Sequence, residues 1–398
     1  MSDIAGILNI GIPILIFMLI LGIVVFVHEF GHYIMARRAG IFVEEFAMGM
    51  GPKLLEFKGK KPAKMSHNAN GEVEVTLYTL RALPLGGFCK MRGMEENIPD
   101  DPEAMNNKPL FSRILVIAGG SAMNFLLGII LFIVLLYLTG YNTPIVSSTI
   151  EGMPAQQAGL QEGDRITHIN GSRVTLWENF MFMLDTSGGR PMDFRVMRDG
   201  QRLNFTFAPM LTESGAYHIG ISSSFRVGSL TYVPDWLTEY ERVGISDSFF
   251  MSLEMISFHI RTPFRMIARW LTRQPLPDGA GVMSVVGIGA EVTVIYQEAI
   301  QHGIMPMVIM MLFIAGLISV AIGTMNLMPI PALDGARLVF LIIEGIRRKP
   351  VSQEREGMVH MVGFVLLMVL LLVVVTRDIR RLWPDSDTNT QYEAPLEE

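Results

Sequence analysis

Three things are scarce in these 398 residues: cysteine, charge, and basic residues at the amino terminus. The single cysteine, Cys89, excludes an intrachain disulfide, so redox chemistry says nothing about the compartment. Charged residues make up 18%, against about a quarter in soluble domains. The opening stretch MSDIAGILNI holds no Lys or Arg, and no A-x-A site follows the apolar run. That pattern excludes a cleaved secretory signal and predicts a retained anchor. No repeat recurs at solenoid periods. The net charge of −6 is mild, and nothing points to nucleic acid.

Apolar residues are abundant, at 50%, and they are clustered. Charge is absent from 10–27, 114–141, 303–333 and 361–376. Crossing a hydrocarbon core of about 30 Å takes about 20 residues. The sequence therefore predicts an α-helical integral membrane protein with about four transmembrane helices. Lys and Arg near the span ends set the orientation. Arg37, Arg38, Lys53, Lys58, Lys60, Lys61 and Lys64 follow the first run. Arg347, Arg348, Lys349 and Arg355 lie between the third and fourth. Both stretches are expected in the cytoplasm, with the amino terminus and 141–302 outside. Arg377, Arg380 and Arg381 run against that rule.

The chain divides accordingly. A first transmembrane helix is expected over 1–36. Residues 37–112 read as a cytoplasmic β-hairpin region, either a small solvated sheet or one whose apolar 84–88 end dips back toward the bilayer, from the runs MGMGPKLLEF and GEVEVTLYTLRALPLGGF. A second helix covers 113–140. Residues 141–230 read as an inserted α+β domain, with turns at Asn170-Gly171 and Asp199-Gly200. Over 231–302 juxtamembrane amphipathic helices are expected. There Arg261, Arg265, Arg269 and Arg273 recur every fourth residue beside an aromatic and aliphatic face, a pattern suited to the membrane surface. Pro263 should interrupt or restart that helix. A third transmembrane segment, 303–346, is broken at NLMPIPALDG. A loop and the fourth helix fill 347–376, and 377–398 form a polar, acidic tail expected to be disordered.

The chemistry gathers at His28-Glu29-Phe30-Gly31-His32, which is H-E-x-x-H. In an α-helix, residues i and i+4 share one face. Two imidazoles so placed reach one zinc ion at about 2.0–2.1 Å. Glu29 then stands beside the metal as a general base for water attacking a carbonyl. Chance alone yields such a motif in a chain this long on the order of a per cent of the time. Ionisable groups at membrane depth are costly and usually functional. A catalytic zinc wants a third protein ligand and an open position. Glu44 and Glu45 are near in sequence but follow the break at Gly40. Asp334 is the stronger candidate, because Pro329 and Pro331 break the third helix beside it. Its bland alternative is a helix N-cap. Asn124, in Gly119-Gly120-Ser121-Ala122-Met123-Asn124, reads alone as part of a packing stripe. His67, His168, His218, His259, His302 and His360 have no partner spacing and read as structural or exposed. A metal permease is the rival class, but it has no use for a Glu beside the first His.

With HEFGH ending the first span and NLMPIPALDG in the third, the chain resembles the site-2 protease family of intramembrane zinc metalloproteases. AGGSAMNFLLG matches that family's second-span G-x-x-x-N pattern, and the resemblance implies substrate-binding roles for Asn124 and Asn326. YTLRALPLGGFCKMRG is similar to its membrane-associated hairpin, and MPAQQAGLQEGDRITHINGSRV to the start of its PDZ domain. Only one PDZ domain fits, as in the single-PDZ bacterial branch. Ala336 stands where a second glycine is frequent, and 60–70 lengthen the hairpin.

The resemblance implies one Zn2+ per chain, held by His28, His32 and Asp334 with Glu29 as base. It implies a multi-pass protein of the bacterial plasma membrane. The PDZ domain would be extracytoplasmic and the active site in the membrane near the cytoplasmic face. Substrates would be single-pass transmembrane proteins already trimmed by another protease, such as anti-sigma factors or signal-peptide remnants. The PDZ domain would filter by size or bind peptide carboxyl termini. An edge strand from 71–83 would pair with the unwound substrate.

Overall fold

The structure, a computed structural model, describes residues 2–59, 75–94, 96–212, 215–229, 242–274 and 283–382. Side chains at 2–10, 84, 85, 227 and 353 lie outside that description. So do the 60–70 insertion and residues 383–398 of the acidic tail.

In chain order, α1 (Ser2–Arg38) leads to β1 (Val43–Lys58), β2 (Leu77–Met91) and α2 (Leu110–Thr139). There follow β3 (Gly140–Thr149), α3 (Pro154–Gln157), β4 (Arg165–Ile169), β5 (Ser172–Arg173) and α4 (Trp177–Asp185). Then come β6 (Met192–Arg198), β7 (Gln201–Phe207), β8 (Met210–Leu211), β9 (Tyr217–His218) and β10 (Ile221–Val227). The chain ends in α5 (Ile245–Leu271), α6 (Val285–Gln301), α7 (Ile304–Leu327), α8 (Asp334–Arg347) and α9 (Gln353–Leu382). Two compact units form, 1–127 with 282–398 and 128–281.

Among the described residues, four helices are long and apolar enough to cross a membrane: Gly11–Arg38, Leu110–Thr139, Ile304–Leu327 and Glu354–Arg381. Their outer faces carry bare aliphatic side chains, among them Leu15 at 72% exposure and Leu372 at 70%. Soluble surfaces do not tolerate apolar bands of that extent, whereas lipid does.

The first unit is built around α1. Phe17, Ile20 and Val24 pack against Val292 of α6 and Met311 and Ile314 of α7. Thus α6, within the stretch expected to be juxtamembrane, packs against α1 and α7. Its start is fixed by α9: Asp378 accepts from both the backbone N–H and the hydroxyl of Ser284, each at 2.7 Å. Ser284 in turn caps α6 by accepting from the Gly287 N–H.

Strands β1 and β2 pair antiparallel with repeated register breaks. The breaks fold the sheet over. Residues 43–48 oppose 87–91, yet Phe46, Ala47 and Met48 also oppose Tyr78, Thr79 and Leu80. Those same three residues face Phe57, Glu56 and Leu55 on their other side. The stretch 77–80 is therefore interior, not the edge expected within 71–83. Among the described residues, 87–91 have a strand on one side only. The sheet seats on α1 through the Tyr33, Phe46 and Tyr78 rings and a 2.6 Å bond between the two tyrosine hydroxyls.

The second unit holds the sheet β10-β3-β4-β6-β7, with β5 on β4. Asn170-Gly171 and Asp199-Gly200 both have positive φ, as two-residue hairpin turns require. Ile166, Phe180, Leu184, Phe194 and Val196 form its dry core. Each such side chain contributes about 1.5–3 kcal/mol of transfer free energy. Helix α5 packs on α4, and Pro263 does not break it. Two arginines of the expected membrane stripe are used in that packing. Arg265 donates to Asn179 Oδ1 at 3.3 Å and Arg269 to the Thr186 carbonyl. His259 lies half-buried between the Phe132 and Phe258 rings, and desolvation pushes its pKa down to about 4. Phe250, Phe264, Trp270 and Leu271 stay exposed on the other face.

Candidate metal centre

Helix α1 carries His28 and His32 one turn apart on one face, 6% and 5% exposed. The break between α7 and α8 brings in the third group. Pro329 and Pro331 lack backbone donors, so the chain runs irregularly from 328 to 333 before α8 begins at Asp334. Gly335 lets that turn close, because a Cβ there would collide with the Met328 carbonyl. The N-cap of α8 is Leu333, with no side-chain cap bond. Asp334 is therefore not a cap; its carboxylate faces the histidines.

Asp334 Oδ2 lies 3.1 Å from the Nε2 of His28 and 3.1 Å from that of His32, and the two Nε2 atoms are 3.2 Å apart. Ligand atoms around a tetrahedral zinc at about 2.0–2.1 Å are separated by about 3.3 Å. The triangle therefore fits the ion. It is the one His/Cys/Asp/Glu group of that geometry among the described residues. His32 Nδ1 lies 2.9 Å from the Val116 carbonyl. A carbonyl only accepts, so Nδ1 carries the proton and the Nε2 lone pair faces the triangle. Gly120 of α2 sits directly behind. A Cβ at that position would lie 2.5 Å from His32 Nε2 and 2.8 Å from His28 Nε2.

Glu29 lines the same cavity as the triad, a space of about 980 Å³ that also meets Gly87, Cys89, Asn326, Arg337 and Phe364. Strand β2 passes close, since a Cβ on Gly87 would be 3.3 Å from Glu29 Cγ. Burial pushes the Cys89 thiol up, which leaves it an unreactive wall group. Glu44 pairs with Lys90 at 2.9 Å. Glu45 accepts from Thr79 and Arg81 at 2.6 and 2.7 Å. Burial pushes the Glu45 carboxyl up, but those bonds outweigh it and hold the group low. Neither acid is free to serve as third ligand.

Asn326 lines the cavity from the last turn of α7. Asn124 does not reach it. It is fully buried behind His28, its Nδ2 3.3 Å from His28 Nδ1. His360 of α9, read from sequence as structural or exposed, has a specific partner: its Nδ1 accepts the Ala332 N–H at 3.0 Å. Ala332 has φ +75, so this bond steadies a strained residue two positions before Asp334. No sequence spacing signals it, because 28 residues separate the pair. Arg113 and Glu344 form an ion pair joining α2 to α8, with one contact at 3.0 Å.

Residues 16–370 match the model of peptidase family M50. A Clostridium perfringens protein named as a zinc metalloprotease is 34% identical over 357 residues, 89% of this chain and 95% of that one. Zinc metalloprotease RasP of Shouchella clausii is 30% identical, over 93% of this chain and 99% of that one. The regulator of sigma-W protease RasP of Bacillus subtilis is 28% identical, over 93% and 99%. The cofactor is Zn2+, and the reaction is peptide-bond hydrolysis. This zinc-dependent metalloprotease belongs to peptidase family M50.

Proposed function

We propose that the chain cleaves single-pass membrane proteins within or near their transmembrane segments. The observation that carries the reading is the triangle of buried His28 and His32 with half-buried Asp334, with edges of 3.1–3.2 Å, the two histidines on a helix long enough to span a bilayer. These three residues hold the zinc. When bound, zinc acidifies the attacking water and polarises the scissile carbonyl. Glu29 takes that water's proton and returns it to the departing amine nitrogen. Asn326 binds the substrate backbone at the cavity wall.

A helical substrate hides its carbonyls in its own hydrogen bonds and must unwind to be cut. Among the described residues the strand 87–91 is paired on one side only, and it lines the cavity, so the unwound chain adds to it as a further strand. Met50, Leu54, Leu55, Phe57 and Leu83 are exposed on this sheet, which suits a hairpin dipping into lipid. The Lys and Arg pattern puts the hairpin and metal centre near the cytoplasmic face of a bacterial plasma membrane, and the amino terminus and residues 141–230 outside. The 141–230 sheet is a PDZ domain that filters substrates by size or binds peptide carboxyl termini. The Bacillus subtilis relative is named for sigma-W regulation, which favours anti-sigma factors, with signal-peptide remnants as a second substrate class.

Glu29→Gln tests the assignment. The purified variant should keep about one zinc per chain, and lose 10²-fold or more in cleavage of a model transmembrane substrate, the range for a general base. Full activity in that variant would sink the role given to Glu29.

A further inference from the structure

The resemblance implies that Asn124 handles substrate, yet its side chain is fully buried and is not part of the cavity wall. What it does touch is His28. Asn124 Nδ2 stands 3.3 Å from His28 Nδ1, while Asn124 Oδ1 is buried without a hydrogen-bond partner. An amide is two-faced: half a turn about Cβ–Cγ exchanges its oxygen and nitrogen. With Nδ2 toward the ring, the amide donates to Nδ1. A neutral imidazole then carries its proton on Nε2, where no lone pair remains for a metal. With Oδ1 toward the ring, Nδ1–H donates, Nε2 is left bare, and the orphaned oxygen is satisfied.

His32 already shows this second arrangement, with the Val116 carbonyl as acceptor at 2.9 Å. Val116, Gly120 and Asn124 recur every fourth residue, so they form one stripe on α2. The stripe places a carbonyl, a gap and a side-chain amide before two histidines spaced four apart on α1. The Asn124 backbone is itself pinned, since Ser319 Oγ donates to its carbonyl at 2.8 Å.

We propose that Asn124 is a positioning residue for the metal: its Oδ1 accepts the His28 Nδ1–H and keeps the Nε2 lone pair directed at the zinc. The inference rests on His28 being a zinc ligand. Metal-bound histidines commonly have such a partner, and losing it typically costs 10–100-fold in metal affinity.

The experiment is zinc affinity of the full chain in detergent, by chelator competition, with helix content and Tm of the metal-free protein as folding controls. Asn124→Leu should bind zinc 10–100-fold more weakly, and Asn124→Asp, which still accepts, should stay within about threefold of the parent. If Asn124→Leu does not fold, Asn124→Asp decides alone. A carboxylate cannot donate, so retained affinity supports the acceptor role and a tenfold loss overturns it. Unchanged zinc binding in Asn124→Leu with a raised KM would return Asn124 to substrate binding and also overturn the proposal. His28→Ala separates the two layers. If it abolishes zinc binding while Asn124→Leu does not affect it, only the positioning role fails. If His28→Ala binds zinc normally, the ligand set itself is wrong.

Discussion

A methyl group at position 120 would stand 2.5 Å from His32 Nε2, closer than any real Cβ contact. The atom it would crowd is the one proposed to face zinc. Overpacking a fixed site typically costs about 1–3 kcal/mol. Gly120→Ala should therefore lose about tenfold or more in zinc affinity, near 1.4 kcal/mol. Helix content should not change. Chelator competition checks this, and normal affinity would mean that α2 does not press on the site. A second residue-scale expectation concerns Asp164, which accepts from Arg198 Nε and Nη2 at 2.6 and 2.7 Å. Burial pushes this carboxyl up, but the Arg198 bonds and the Gln161 N–H outweigh it and hold it below its ordinary value. The unfolded value is about 3.9. A folded value below that stabilises the domain above about pH 4, and the gain is lost as pH falls through the folded value. The unfolding temperature should thus drop less between pH 7 and pH 3 in Arg198→Gln than in the parent. An equal drop in both would deny the pair its role.

At the scale of elements, the loop 328–333 delivers Asp334, and α9 holds that loop. His360 accepts the Ala332 N–H, and Pro331 packs where Gly363 has no side chain. His360→Leu should leave the fold intact and cut activity about tenfold through a displaced carboxylate. Turnover of a model substrate measures it, and parental turnover would show that the loop stands unaided. How legible such elements were depended on their range. H-E-x-x-H offers two ligand candidates on one face because helical periodicity is local. Asp334 was reachable because two prolines and a charge at membrane depth are each costly. The Asn170-Gly171 turn was legible because its φ requirement belongs to the dipeptide itself. The folded-over sheet was not legible. Its register breaks place 77–80 inside and 87–91 outside, and pairing choices between distant strands leave no mark on either strand. Nor was the docking of α5 on α4, since an arginine stripe looks the same whether it meets phosphates or an Asn179 amide. The partners of His360 and Asn124 were illegible for the same reason: they are far off in sequence.

At the scale of the whole molecule, apolar clustering sets the architecture and the metal sets the function. Four membrane-length helices leave long aliphatic faces that only lipid can cover. Within that frame a half-buried acid beside two buried histidines is costly, which is what a binding site would explain. Three groups brought together from positions 28, 32 and 334 converge to within 3.2 Å. These three side chains are the proposed holders of one zinc. X-ray absorption at the zinc edge of the purified chain tests that role most directly. The account predicts about one zinc per chain with only nitrogen and oxygen neighbours at about 2.0–2.1 Å, and a shell altered in Asp334→Ala. A sulfur neighbour at about 2.3 Å, which only Cys89 or a methionine could supply, would contradict it, as would a shell unchanged by Asp334→Ala.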